Sequence, residues 1–228
     1  MKAFVCLAFI TCFYYCSGDS CDDIVHPCPH LDRGCVGRVF AEQLQCSLRD
    51  KIPDSRTIKY LPLNYPRSNS SLEYINAVAK GLNKFTINKF YLNRKTKTLV
   101  LEVVFKLIDM EAPITKGYFN RKGKEPIVTS GYTYTLYKNY SLTLTVFNVD
   151  GRAHHDLSDF VVFTYVTDAS PQFAFKKSFI PTDPEVLREF QIFNDYSTGY
   201  ILEEETVNQG PLLMSYILPC DLQLSIWG

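Results

Sequence analysis

The amino-acid sequence predicts an α+β fold in which a long, strongly curved antiparallel β-sheet wraps around a long helix. Three observations predict it. Residues 32–51 place apolar side chains at helical spacing, residues 99–107 alternate so that one strand face is wholly apolar, and residues 131–147 alternate in the same way. Strands with one oily face must cover it, and the large amphipathic partner in this sequence is a helix.

The chain opens on a leader. Met1 and Lys2 give a short positive start, Ala3 to Tyr15 is apolar or aromatic apart from Thr11, and Cys16-Ser17-Gly18 offers small residues for cleavage. This reads as a secretory signal peptide over residues 1–18, too short to span a bilayer, which takes about 20 apolar residues. Residues 19–228 then form one exported, extracellular domain with no integral membrane segment. Removing the leader leaves 23 basic and 24 acidic side chains. That balance provides no field for a phosphate backbone, so nucleic acid is excluded as a partner. The one basic stretch, Lys116 to Lys124, also holds Tyr118, Phe119 and Gly123 and reads as a solvated turn. At 46% hydrophobic and 21% charged, the chain has the apolar content of a folded domain.

Five cysteines remain: Cys21, Cys28, Cys35, Cys46 and Cys220. An odd number leaves at least one thiol free or intermolecular, so a disulfide-linked dimer stays open. A bond between Cys28 and Cys35 would close a short loop worth roughly 2.5 kcal/mol in unfolded-chain entropy. Cys21, Cys46 and Cys220 then compete for one further bond. His26, Cys28 and His30 alternate as metal ligands could, but zinc sites draw ligand pairs from two segments and no second cluster exists, so neither metal nor cofactor is expected.

Along the domain, Asp32 caps a helix running to about Lys51, with Val36, Val39, Phe40, Leu44, Ser47 and Leu48 on one face. It ends before Pro53, and a proline-punctuated connector continues through Pro62 and Pro66 to Ser71. A glycosylation acceptor sits at Asn69-Ser70-Ser71. The segment Phe85 to Leu92 pairs with the strand carrying Leu99, Leu101, Val103, Phe105 and Leu107. In Gly131 to Phe147 the even positions, among them Tyr132, Tyr134, Leu136, Tyr140, Leu142 and Leu144, form the apolar face. The threonines and the second acceptor, Asn139-Tyr140-Ser141, form the polar one. After the Asp150-Gly151 turn, strands follow at Phe160 to Thr167 and Gln172 to Ile180. Asp183 and Pro184 open a helix. A further helix, Tyr196 to Asn208, is interrupted by Gly199 and stopped by Gly210-Pro211.

The chemistry of catalysis is missing. There is no G-x-S-x-G elbow, glycine-rich phosphate loop, H-E-x-x-H or C-x-x-C. His154 and His155, beside Asp156 and Asp159, read as a solvent-facing hairpin tip. The protein is therefore expected not to be an enzyme. The aromatics suit core packing, and Tyr132, Tyr134 and Tyr140 could also donate to an oxygen of an oily ligand.

The order of motifs resembles the insect juvenile hormone-binding protein and takeout family. Cys28-Pro29-His30-Leu31-Asp32-Arg33-Gly34-Cys35 is similar to the C-x6-C that opens family members. Ile52-Pro53, Leu61-Pro62-Leu63, Gly81-Leu82-Asn83-Lys84-Phe85, Tyr118 with Gly123, Gly131, and Ile192-Phe193-Asn194-Asp195 follow the later motifs. Lys51 stands where the family has glycine, and Cys21, Cys46 and Cys220 do not reproduce the hormone carriers' second disulfide. The resemblance implies a Cys28–Cys35 bond, an elongated tubular lipid-binding fold and a carrier working in a fluid such as haemolymph. Its small hydrophobic ligand, a juvenile-hormone-like terpenoid or fatty-acid-like lipid, would occupy an internal apolar pocket. On the face assignments, candidate pocket walls are Val36, Val39, Phe40 and Leu44 with Leu101, Val103, Phe105, Leu107, Tyr132, Tyr134 and Leu144. The alternative is a secreted glycoprotein with the same fold and a filled core, acting through contacts with a protein partner.

Overall fold

The computed structural model describes residues 23–44, 47–48, 50–149, 160–166, 172–175 and 180–218, with strands 160–166 and 172–175 described by backbone alone. The leader, Cys21, Cys46, Cys220, the Asp150-Gly151 turn, His154, His155 and the end of the chain lie outside these residues.

Helix α1 spans Arg33–Leu44. Asp32 caps it as expected, its Oδ1 accepting the Cys35 N–H at 2.8 Å. It stops at Leu44 rather than Lys51. The supposed connector that follows is two strands, β2 (Ser55–Tyr65) and β3 (Ser70–Lys80), joined by a 3-10 turn at Pro66–Ser68. Pro62 is tolerated inside β2 because β2 is the edge of the sheet on its side of β3, where one face of the ladder needs no donor. β1 (Ile24–Val25) pairs with the end of β4 (Phe85–Asn93).

The spine is a hairpin of β5 (Thr98–Arg121) and β6 (Lys124–Val146), 24 and 23 residues long. It turns at Lys122-Gly123, with Gly123 at φ 70°. Shorter strands pair along its two sides. β4 pairs with the first half of β5 and β3 with the second half; β7 (Phe160–Val166) and β8 (Gln172–Phe175) pair with successive parts of β6. Eight strands form one antiparallel sheet.

The buried face of these strands changes parity partway along. On β5 it runs Leu99, Leu101, Val103, Phe105 and then Ile108, Met110, Ala112, with Lys106 and Leu107 both exposed. On β6 it runs Thr133, Thr135, Tyr137 and then Tyr140, Leu142, Leu144, with Lys138 and Asn139 exposed and Asn139 at φ 50°. The two reversals face each other, since Phe105 pairs with Tyr140 and Ile108 with Tyr137. A second line crosses β2 between Ile58 and Leu61, β3 between Tyr74 and Ala77, and β5 between Ala112 and Thr115, with Asn76 at φ 55°. An extra residue on one face bends a strand and raises its twist. Aligned across neighbours, such residues make two creases along which the sheet curls.

It curls around α2, Pro184–Ile217, 34 residues or roughly 50 Å at the α-helical rise. Asp183 caps α2, its Oδ1 accepting from Glu185 N and Val186 N at 3.0 Å, and Pro184 takes the first turn as predicted. The expected break at Gly199 and stop at Gly210-Pro211 do not occur. Pro211 forfeits one backbone bond, and the buried Leu212, Leu213 and Met214 beyond it hold the helix on course. The fold class is the predicted one, but the long central helix is α2 and not the N-terminal helix. α2 bonds to β2 through Asn208 Nδ2 and Asn64 O (2.9 Å), to β3 through Tyr74, and to β6 through Thr135 and Tyr140. Among the described residues, no helix is long and apolar enough to cross a membrane.

Candidate functional site: an apolar pocket beside the first helix

The pocket forms where α1, Leu48, residues 50–52, and the starts of β4 and β5 meet the C-terminal end of α2. Its volume is about 500 Å³, and it is partly open to solvent. Val36 and Gly37 of α1, Leu101 and Val103 of β5, and Phe85 and Ile87 of β4 line it, with Leu48, Ile52 and Ile217. Polar groups are few: Arg33, Asp50, Lys51 and Asn83. Arg33 is held in place, its Nη2 donating to Asn83 O (2.6 Å) and Phe85 O (3.0 Å) while the guanidinium lies 4.1 Å from the Phe85 ring centre. Cys28 and Cys35 are bonded, with Cα atoms 5.9 Å apart, which ties the approach of the chain to the first turn of α1 and withdraws Cys28 from any metal.

Three of the predicted wall residues, Val36, Leu101 and Val103, line this pocket. Phe40, Leu44, Phe105 and Leu144 are buried core: Phe40 stacks on Phe90 at 5.8 Å between ring centres and Phe105 packs on Phe85 at 5.6 Å. Val39 is half-buried against that core. Leu107, Tyr132 and Tyr134 lie elsewhere than expected. Leu107 is 44% exposed, and both tyrosines are on the outer face near Asp109 and Glu111. The cause is the crease between Tyr137 and Tyr140, which inverts every face assignment on the earlier part of β6. The pocket residues that sequence alone does not single out divide in two. Phe85 and Ile87 pair with Phe105 and Val103, so the predicted hairpin, carried to its register, points to them. Ile217 arrives from the far end of α2 and has no local signal.

Further along α2, described side chains of the helix and the sheet are buried against one another. Glu205 is fully buried, and its Oε1 accepts from Tyr74 Oη (2.9 Å), Thr135 Oγ1 (3.1 Å) and Gln209 Nε2 (2.7 Å). Burial raises its pKa to about 7 against the pull of these donors. Burial also pushes the Tyr65, Tyr74 and Tyr137 hydroxyls well above their usual value. Tyr140 Oη donates to Thr206 O at 2.5 Å, and its ring stacks on Tyr137. Thr133 and Thr135, expected to face water, are 1% exposed. Asn69 and Asn139, the two acceptor asparagines, are both exposed, but Ser141 of the second acceptor is buried.

The crystal structure of Epiphyas postvittana Takeout 1 is similar to this one. The TM-score is 0.52 at 16% identity over 84% of this chain and 89% of that one, a likeness of fold. No curated protein matches the chain. The family model for Fibroin P25 matches residues 24–211, and the chain belongs to that family. The resemblance read from the sequence therefore holds for the fold, while the family is a different one.

Proposed function

We propose that this protein is a secreted, non-enzymatic binder of a small apolar ligand, a fatty-acid-like or terpenoid chain held in the pocket beside α1. The observation that carries this reading is the pocket itself: about 500 Å³, walled by aliphatic side chains and Phe85, with charged groups confined to a few positions. Ligand sites are typically 300–1,000 Å³ with this kind of lining. At roughly 0.8 kcal/mol per buried CH₂, a chain of about ten carbons gains near 8 kcal/mol before the cost of association. Lys51 and Arg33 supply the positive charge that a carboxylate end would meet. The leader, the Cys28–Cys35 bond and the exposed acceptor asparagine Asn69 support export.

The test is displacement of a fluorescent fatty acid from the secreted protein, with native mass spectrometry before and after solvent extraction. Half-buried Ile52 and Ile87 can each be changed to Trp to fill the cleft. Wild type is expected to bind in the micromolar range and both variants at least tenfold more weakly. A wild type that emerges empty and takes up no probe ends this reading.

A second reading has its own support. The family model carries the name Fibroin P25, and many side chains of α2 are buried along its length. The outward face of α2 presents Ile192 (53% exposed), Tyr196 (78%), Tyr200 (45%) and Val207 (59%). On this reading the protein acts by contact with a secreted protein partner of fibroin type. Co-purification with fibroin chains that is lost in Tyr196→Lys/Tyr200→Lys, with probe binding unchanged, would favour it over the carrier.

A further inference from the structure

We infer that Glu205 is a proton-controlled latch: it holds α2 inside the curled sheet as a neutral carboxylic acid, and its ionisation loosens the helix. This goes beyond the ligand reading and does not depend on the pocket.

Among the described residues, the surroundings of this carboxyl offer hydrogen bonds but no counter-charge. Glu205 is 0% exposed. Among the described residues, the groups that face it are uncharged: Tyr65 from β2, Tyr74 from β3, Thr135 and Tyr137 from β6, and Gln209 from the next turn of α2. Among the described residues no lysine, arginine or histidine forms an ion pair with it. An isolated anion at such a place is expensive, since neither water nor a counter-charge replaces its hydration.

The two oxygens are also unequal. Oε1 collects three donors, as a carbonyl does, while Oε2 has no partner. Gln209 Oε1 is likewise buried without a partner, and the Tyr65 and Tyr137 hydroxyls lie close to the carboxyl. A proton on Oε2 turns that oxygen into a donor for a set that holds a bare acceptor in Gln209 Oε1. Removing it leaves an anion whose donors among the described residues are all neutral, the Tyr137 hydroxyl included. The three donors on Oε1 favour the anion, so burial and hydrogen bonding oppose each other and the balance falls within the range of pH that a secreted protein meets.

Glu205 joins α2 to β3 and β6 at once, so strain there acts on the packing of the helix and not on one loop. The sign follows from linkage. Folding raises the affinity of this group for a proton, so stability is full at low pH and falls as pH rises through the ordinary carboxyl range to about 7, then levels off.

The experiment uses the full secreted protein and Glu205→Gln, which keeps shape and removes the titration. Denaturation midpoints of the two proteins are compared from pH 5 to pH 8.5. The folding equilibrium of wild type, relative to the variant, is expected to fall by about two orders of magnitude across this range. Parallel curves would overturn the inference. Should the variant not fold, infrared spectra of wild type decide. A protonated carboxylic acid band present at pH 6 and lost by pH 8.5, with faster hydrogen exchange over 201–213 at the higher pH after correction for intrinsic rates, supports the latch. Absence of the band at pH 6 refutes it.

Discussion

Gly81 shows how much of the fold can hang on one residue. It sits at φ 88° in the link from β3 to β4, and a Cβ built there would lie 2.4 Å from the Leu107 carbonyl oxygen, a backbone atom that cannot rotate away. Gly81→Ala combines left-handed backbone strain with that collision, and we expect a loss of about 2–4 kcal/mol, read as a shift in denaturant midpoint at unchanged slope. Gly123, also at positive φ, has nothing within 4 Å of the point a Cβ would occupy, so Gly123→Asn should cost less than about 1 kcal/mol. Breaking the Cys28–Cys35 bond with paired serines should cost about 2 kcal/mol and disorder the entrance to α1. Spacing and residue type mark these residues in the sequence. Nothing marks Glu205, since a lone glutamate in a polar stretch looks like a solvated one.

At the scale of elements, the creases divide what sequence can and cannot show. Alternation locates Phe85–Asn93 and the stretches 99–108 of β5 and 131–146 of β6, because a half-buried strand must alternate. It misses the far halves of both long strands, where Lys116 to Lys124 reads as a solvated turn and is strand on both sides of Lys122-Gly123. It does not reveal where the parity flips, and it therefore puts Tyr132 and Tyr134 on the wrong face. Thr133 and Thr135 point inward and find polar partners there, Thr133 in Thr115 of β5 (2.7 Å) and Thr135 in Glu205 of α2, an arrangement hydrophobicity alone misreads. The pattern of α2 is obscured for the same reason: Ser197, Glu205, Thr206 and Gln209 are buried while Ile192, Tyr196, Tyr200 and Val207 are exposed. β2 and β3 escape a sequence reading because Pro53, Pro62 and Pro66 look like loop punctuation, although an edge strand accepts proline. Substitutions should follow the observed parity. Leu107→Lys should change stability by no more than about 0.5 kcal/mol, whereas Tyr137→Ala on the same β5–β6 hairpin should cost about 3 kcal/mol or more. Equal losses from the two would contradict the crease.

For the whole molecule, the two ends of α2 are fastened by different means. Its first turns lie against the tip of the hairpin, where Phe119 packs on Phe190 and Phe193 with ring centres 5.2 and 4.7 Å apart. There Glu189 accepts from Arg121 and from Lys124 Nζ (2.6 Å). Those bonds draw the Glu189 carboxyl down to about 2, so its contribution is complete above the ordinary carboxyl pKa near 4.5 and is lost as pH falls toward 2. Glu189→Gln should flatten the acid limb of the stability profile and leave the neutral limb alone, the opposite of Glu205→Gln. With both groups in place, their joint contribution is greatest near pH 4.5, between the two titrations.

The long hairpin bears also on the order in which the chain comes off the ribosome. β5 and β6 can zip from the Lys122-Gly123 turn using neighbours only, but the bond from Tyr74 to Glu205 spans 131 positions and waits for the last helix. Until residues beyond Pro184 emerge, a sheet already paired has its oily side uncovered. The newborn protein thus passes through a stage in which it is sticky by construction, and a chain stopped just before Pro184 should be recovered from aggregates, not from the soluble fraction.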